Sequence, residues 1–481
     1  MLRKLSIEGF QSLGLPQEIE LAPLTFLFGP NSSGKSSVGR SLRFLAQSSD
    51  QSGQLVYSGP QVDLSSFQAA VHGQDTKGSI SVGVSLSELP LGAPLGSARI
   101  SSLTAKWTMS DSRSWIPSTA RFDLVLKSES GSSGAASAEV HLVFESNQYD
   151  EVRLSSAEFA GDDSVIASLS PSRLDEVATG PEENDSARYG FSRGPLVPRS
   201  EDRRGSFVRG EGRIIDIDRL LSQIRNSVGS FFGSLSYCGP VREISAQFVD
   251  KSRQFEPIRP DGANIQTVLG SIPDSEFSLL SNWLEALTDG IYGLERVPVT
   301  AEVPHFDPQV QTFLRDTYSG ALVAFKDAGA GISQLLPILV HIFGRSNVGR
   351  TNRRGSTSYS RGNLGRSAGL VLIEQPELHL HPKMQAVMAD FLLENSVHGK
   401  ETNRKPQVIC ETHSEQMLLR VQRRISEGKY RAEDVAVYFV DRFPGSKSSY
   451  VQRLRIGESG NFLDSWPLSF SDLRLDEILD S

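Results

Sequence analysis

Gly29, Gly34, Lys35 and Ser36 match the pattern G-x-x-x-x-G-K-[ST], and the chemistry these residue types suit is the binding of a polyphosphate. Glycines let the backbone come close to phosphate oxygens, and successive N–H groups form an anion cradle. The expected nucleotide-binding loop is Gly29, Pro30, Asn31, Ser32, Ser33, Gly34, Lys35, Ser36 and Ser37. Within it Lys35 is expected at the β- and γ-phosphates of ATP, with the Ser36 hydroxyl on Mg²⁺.

Three other places carry chemistry. The run Gly369-Leu370-Val371-Leu372-Ile373-Glu374 is an apolar strand ending in a carboxylate, followed by Gln375, Pro376, Glu377, Leu378 and His379. A carboxylate at the end of a buried strand is where a phosphate-loop enzyme holds its Mg²⁺ shell. Glu374 and Ser36 are therefore the expected metal ligands. His379 and His381 offer a competing zinc reading, weak because no third ligand is obvious. His413, at the end of the short strand Gln407–Cys410, could contact a γ-phosphate. Gly329 and Gly331 lead to Ser333, which is expected to open an apolar helix. That geometry is either a second phosphate cap or an ordinary helix cap.

These residues need elements to hold them. Leu24–Phe28 reads as a buried strand before the loop, and Val38, Leu42, Phe44 and Leu45 as a helix after it. Leu2–Phe10 and Glu18–Leu21 are opening strands, with Phe10 read either as an adenine-stacking ring or as core. Ser79–Leu86, Ala98–Ser110, Ala120–Ser128, Ala138–Phe144 and Glu151–Phe159 alternate in period two, which predicts an antiparallel β-lobe. Residues 160–213 are rich in Ser, Gly, Pro and charge, and read as a partly disordered insertion. Ile217, Leu220, Leu221, Ile224, Val228, Phe231, Phe232 and Leu235 are spaced as a helix, and Ser236–Arg242 as a strand ending in a turn. Helices are also expected at Ser278–Leu287, Lys383–Glu394 and Met417–Ile425, and strands at Val435–Val440 and Tyr450–Arg455. The domain reading is 1–159, an N-terminal lobe with phosphate loop and β-lobe; 160–213, the insertion; and 214–481, a C-terminal lobe. The fold class is α/β.

Composition narrows the functions. The net charge of −8 over 481 residues excludes a polyanion binder working by bulk attraction. Any DNA contact must be local, and Arg345, Arg350, Arg353, Arg354, Arg361 and Arg366 lie in one stretch without an acidic residue. That loop reads as a phosphate-backbone or partner contact, or as a solvated tether. Cys238 and Cys410 have no metal-ligand spacing, so reduced thiols and a cytoplasmic location are expected. The N-terminal MLRKLSIEGF has no apolar h-region and no apolar run of 18 residues occurs, so neither a signal peptide nor a membrane span is expected.

Taken together and in order, FGPNSSGKSS, GPVRE, DAGAGISQLLPIL, VLIEQPELHLHP and ETHSEQMLLRVQRRI resemble the ABC-type ATPase heads of the RecF, SMC and overcoming-lysogenisation-defect group. The match is nearest to bacterial AAA family ATPases that end in a small domain of unknown function. The resemblance covers both ends of the chain and not residues 160–213. It implies a P-loop NTPase fold, ATP and Mg²⁺, and a homodimer closing around two nucleotides. Gly329, Gly331 and Ser333 would cap the ATP held by the other subunit, Glu374 would be the Walker B acid, and His413 the switch histidine. Many relatives carry a glutamate where this chain has Gln375. An amide can orient a water but cannot take its proton, which allows slow hydrolysis, with Glu377 the nearest alternative carboxylate. The region after His413 lacks an acidic nuclease constellation, so a nuclease or other effector is expected on a separate chain. The implied setting is anti-phage defence or DNA maintenance. Two rivals stand beside it: a nucleotide-sensing scaffold with little turnover, and a direct DNA-end binder.

Overall fold

The structure, a computed structural model, describes residues 1–49, 55–87, 98–110, 118–130, 136–146, 152–161, 188–190, 199–200, 207–210, 213–242, 258–299, 309–343, 369–397, 405–442 and 445–465. The arginine loop at 345–366 and the chain beyond 465 lie outside the described residues. The chain divides into two units, and the division falls inside the phosphate loop. The first unit is Met1–Leu21, Asn31–Leu235 and Val440–Gln452, and the second is Ala22–Pro30, Ser236–Phe439 and Arg453–Ser481.

The first unit is built on a nine-stranded antiparallel sheet. Its strands are β1 (Leu2–Glu8), β2 (Gln17–Glu20), β4 (Ser79–Ser87), β5 (Ala98–Ser110), β6 (Ser118–Ser130), β7 (Ala136–Ser146), β8 (Val152–Gly161), β9 (Arg188–Gly190) and β10 (Arg199–Ser200), while β3 (Leu24–Phe28) belongs to the second unit. The order across the sheet is β10-β9-β8-β7-β6-β5-β4-β1-β2. Period-two alternation puts Leu103, Trp107, Phe122, Leu126, Val140 and Phe144 on one buried face, with Trp107, Phe122 and Phe144 abreast. Helix α1 (Lys35–Ser49) follows the phosphate loop, α2 is Phe67–Ala70, and α3 (Ile217–Gly233) brings Phe232 edge-on to Trp107 at 6.3 Å. The stretch expected as an insertion, 160–213, contains β9, β10 and β11 (Phe207–Gly210), and β11 pairs with β12 (Arg213–Asp216), which begins at its last residue. Phe10 is fully buried and stacked on Phe44 at 6.4 Å, so of its two readings the ring is core.

The second unit holds a parallel sheet. β13 (Ser236–Cys238), β17 (Leu370–Glu374), β18 (Gln407–Glu411), β3 and β19, which starts at Val435, lie side by side in that order, each pairing parallel. Such strands are covered on both faces and read as continuous apolar runs rather than alternations. Leu370–Ile373 and all of β18 and β3 are buried accordingly. Helices α4 (Ile265–Ser271), α5 (Asp274–Leu287), α6 (Ala330–Phe343), α7 (Pro382–Ser396) and α8 (Glu415–Ser426) surround it. A small antiparallel sheet of β14 (Tyr292–Val299), β15 (Gln309–Asp316) and β16 (Leu322–Val323) completes the unit. No described helix is long and apolar enough to cross a membrane.

Candidate nucleotide site

Parallel strands end together, and that is what gathers the chemistry. Glu374 is in register with Glu411, and Glu411 with Leu27. The acid that ends β17, the Glu411-Thr412-His413 turn after β18 and the start of the phosphate loop after β3 thus share the carboxyl edge of one sheet. Thr412 N donates to Leu27 O at 3.1 Å, and Gln375 N to Glu411 O at 2.7 Å, so the three strand exits are tied by backbone.

The phosphate loop turns by left-handed residues: φ is 145° at Gly29, 61° at Ser32 and 108° at Gly34. A Cβ on Gly34 would stand 2.3 Å from Ser12 Oγ and 2.7 Å from Ser449 Oγ, so this glycine is required by space as well as by torsion. Ser12 and Ser449 brace the loop from behind. Ser449 N donates to Ser12 O, Ser12 Oγ lies 3.0 Å from Ser37 Oγ, and Arg442 Nε donates to Ser449 Oγ. Lys35, only 3% exposed, begins α1. Ser33 Oγ is buried without a hydrogen-bond partner among the described residues. A buried lysine at a helix N-terminus, a glycine loop and an orphaned hydroxyl suit a triphosphate with Mg²⁺.

Beyond Glu374 the turn is built differently. Gln375 has φ 47° and His379 φ 60°, both left-handed without being glycine. Glu377 accepts at Oε1 from His413 N at 2.8 Å and at Oε2 from Thr412 Oγ at 2.7 Å. Ser414 Oγ donates to Gln385 Oε1 at 2.6 Å and caps α8 by accepting from Met417 N. The His413 backbone is therefore held by the Glu377 carboxylate, which the Thr412 hydroxyl also binds. His381 Nδ1 accepts from Lys383 N as the N-cap of α7, with Pro382 at the first helical position, and His379 is exposed. His381 thus has a local structural role, and the described residues hold no group of three or more His, Cys, Asp or Glu fit for a metal.

The glycine turn before α6 departs from expectation in one respect. The helix begins at Ala330, so Ser333 lies within its first turn rather than opening it. Ile332 N already donates to Gly329 O at 3.0 Å, which closes the turn early. A Cβ on Gly329 would meet open space, and one on Gly331 would lie 3.6 Å from His379 O. The cap therefore abuts the turn that follows β17.

Arg242, from the GPVRE stretch, is the residue that inspection of the sequence passed over. It is 4% exposed. Its Nη2 donates to Glu374 O, its Nη1 to Gln334 Oε1 at 3.2 Å, and its Nε to Cys238 Sγ at 3.2 Å. Gln334, Gln385, Thr412 and Ser414 were missed with it. An arginine just after the Gly-Pro turn that ends a short strand was the available signal. Burial pushes the thiols of Cys238 and Cys410 up, with Arg242 opposing at both, so neither is a thiolate at neutral pH.

Residues 211–418 match the family model described as AAA ATPase domain, a stretch that contains Arg242, Gly329, Ser333, Glu374 and His413 and begins after the phosphate loop. No curated protein matches the chain. Among solved structures it is similar to an SMC head bound to the C-winged helix domain of ScpA, at 11% identity and TM-score 0.43, over 94% of this chain and 98% of that one. It is also similar to the SMC head domain from Thermotoga maritima, at 13% identity and TM-score 0.38, over 95% and 99%. A third is an SMC head with extended coiled coil bound to the C-terminal domain of ScpA from Pyrococcus furiosus, at 11% and 0.38, over 99% of each chain. Residues 211–418, less than half of the chain, thus resemble an AAA ATPase domain, and the fold is α/β.

Proposed function

We propose that this chain binds ATP with Mg²⁺ and hydrolyses it slowly, as one half of a homodimer that closes around two nucleotides. The observation that carries this reading is the register of Leu27, Glu411 and Glu374, which brings three strand exits with complementary chemistry to one edge. Gly29–Ser37 would wrap the phosphates, with Lys35 at the β/γ bridge and Ser36 with Glu374 as ligands of Mg²⁺. The metal would supply neutralisation of phosphate charge. Gln375 would orient the attacking water and His413 contact the γ-phosphate. Glu377, with each oxygen already accepting a hydrogen bond, fits the role of holding the His413 turn better than that of a base. Gly329, Gly331 and Ser333 would cap the nucleotide of the opposite subunit, giving a self-complementary interface.

The amide at Gln375 favours a second reading, a nucleotide-sensing scaffold with little turnover. A single-turnover assay separates the two: ADP appearing within one binding lifetime supports the ATPase. By resemblance, the setting is anti-phage defence or DNA maintenance with a separate nuclease or other effector, and the Arg345–Arg366 loop is the candidate DNA contact. Salt-dependent binding of duplex DNA tests that contact, since counterion release gives a steep slope only where phosphates are engaged. The dimer is tested by mixing. Lys35→Ala and Ser333→Glu proteins should each be inactive, and the mixture should regain part of the ATPase from one intact composite site per heterodimer. Wild-type turnover by Ser333→Glu alone, at dilutions where light scattering reads monomer, sinks the composite site.

A further inference from the structure

We propose that Arg242 is a positioning residue through which the first turn of α6 sets the Gln375 turn, so that capping a partner's nucleotide is felt at the subunit's own site. The inference rests on the ATPase reading above and adds a coupling to it.

The guanidinium is buried and makes no ion pair with a described residue; its acceptors are neutral. Besides Glu374 O, Gln334 Oε1 and Cys238 Sγ, both terminal nitrogens lie 3.4 Å from Gln375 O. A buried cation with no carboxylate partner among the described residues is a costly way to stabilise a fold, because removing it from water is only partly offset by neutral acceptors. Its placement is informative instead. Three elements meet on it: the end of β13, helix α6 and the turn after β17. Gln334 answers the grip, its Nε2 donating to Arg242 O at 3.2 Å, so the two side chains hold each other in both directions.

Each end of this clasp touches a part that has reason to move. Gln334 directly follows Ser333, so displacement of the cap displaces its side chain. Pro337 stands four residues after Ser333 and has no N–H for the Ser333 carbonyl, so the first turn of α6 lacks one of its usual ties to the rest of the helix. At the other end Gln375 is a strained left-handed residue, held through its N–H by Glu411 O and through its carbonyl by Arg242. A shift of Gln334 would change the pull on that carbonyl and with it the aim of the Gln375 amide. In a two-fold dimer each α6 caps the other subunit's ATP, so the clasp makes the two sites cooperative.

The test uses the full-length chain with Gln334→Ala, Gln334→Glu and Arg242→Lys. Three things are measured: ATPase rate against ATP concentration, affinity for a fluorescent ATP analogue, and melting temperature. Wild type should show a Hill coefficient clearly above one. Gln334→Ala and Arg242→Lys should bring it to one and lower kcat, on the order of tenfold for a misaimed Gln375, with analogue affinity little changed. Gln334→Glu keeps an acceptor for Arg242 and should retain cooperativity. A purely structural role would lower the melting temperature and leave the Hill coefficient of the active protein intact. Should Arg242→Lys fail to fold, the two Gln334 variants decide the matter. Gln334→Ala that melts like wild type and keeps its Hill coefficient overturns the coupling, as does a wild type that hydrolyses ATP with a Hill coefficient of one. A wild type that neither binds nor hydrolyses ATP brings down the ATPase reading itself, and the coupling with it.

Discussion

The phosphate loop after β3 and the turn after β17 both leave a buried parallel strand through left-handed backbone, yet they are made of opposite materials. The first places its positive φ mainly on Gly29 and Gly34; the second places it on Gln375 and His379. Glycine serves where backbone must approach a ligand and where a Cβ has no room, as at Gly34. A side chain on a strained position serves where the group itself is wanted at that place, and the strain is then offset by fixed partners. At Gln375 those partners are Glu411 O and Arg242. One turn offers its backbone, the other its side chains.

The largest effects should separate the two. Lys35→Ala removes the cation proposed to face the β/γ-phosphates and should abolish measurable ATP binding in calorimetry, whereas Glu374→Gln should leave binding largely intact and stop turnover. Equal loss of binding in both would erase the distinction. Gly34→Ala is next. It forces a Cβ against Ser12 Oγ and Ser449 Oγ at φ 108°, and strain of this kind costs about 1–3 kcal/mol. Chemical denaturation should show that loss together with weaker ATP binding. Gln375→Gly should melt within a few degrees of wild type, because glycine relieves the left-handed strain while loosening the unfolded chain. Its turnover should fall nonetheless. Gln375→Glu, which restores a group able to take a proton, should raise single-turnover hydrolysis at least about tenfold.

How much of this was readable in the chain follows the same division. The β-lobe strands were legible because alternation marks a sheet with one buried face; Ala98–Ser110 is bounded where its pattern begins and ends. The parallel strands were legible as apolar runs, and the chemistry at their ends because a carboxylate or histidine after such a run is conspicuous. β14 and β15 were not foreseen. The pattern of β14 is broken by Pro298 and by Arg296, which is turned into the unit to donate to Leu269 O and Ile272 O at the end of α4 while lying over the Phe277 ring at 4.0 Å. A polar residue doing a helix cap's work from another strand leaves no local period to read. Arg242 was hidden likewise, since its partner Gln334 is 92 residues away.

The smallest and sharpest prediction concerns Glu377, the carboxylate that sequence alone offers as an alternative base. In the fold its Oε1 accepts from His413 N and its Oε2 from Thr412 Oγ, so it organises the His413 turn through both oxygens. Glu377→Gln keeps one oxygen and replaces the other with an NH₂ that can only donate. Whichever way the amide settles, one of its two neighbours must turn away or lose its acceptor. Leaving a buried donor unsatisfied costs about 1–3 kcal/mol, so stability should fall by an amount in that range, read by denaturant titration. ATP binding should persist, and kcat should drop because His413 is no longer fixed. The shape of the pH–rate profile distinguishes the roles. A base at Glu377 gives an acid limb that the amide must abolish, because the amide does not titrate. A positioning carboxylate gives a profile of unchanged shape and reduced height. Loss of the acid limb in Glu377→Gln would make Glu377 the proton acceptor and leave Gln375 an orienting amide only.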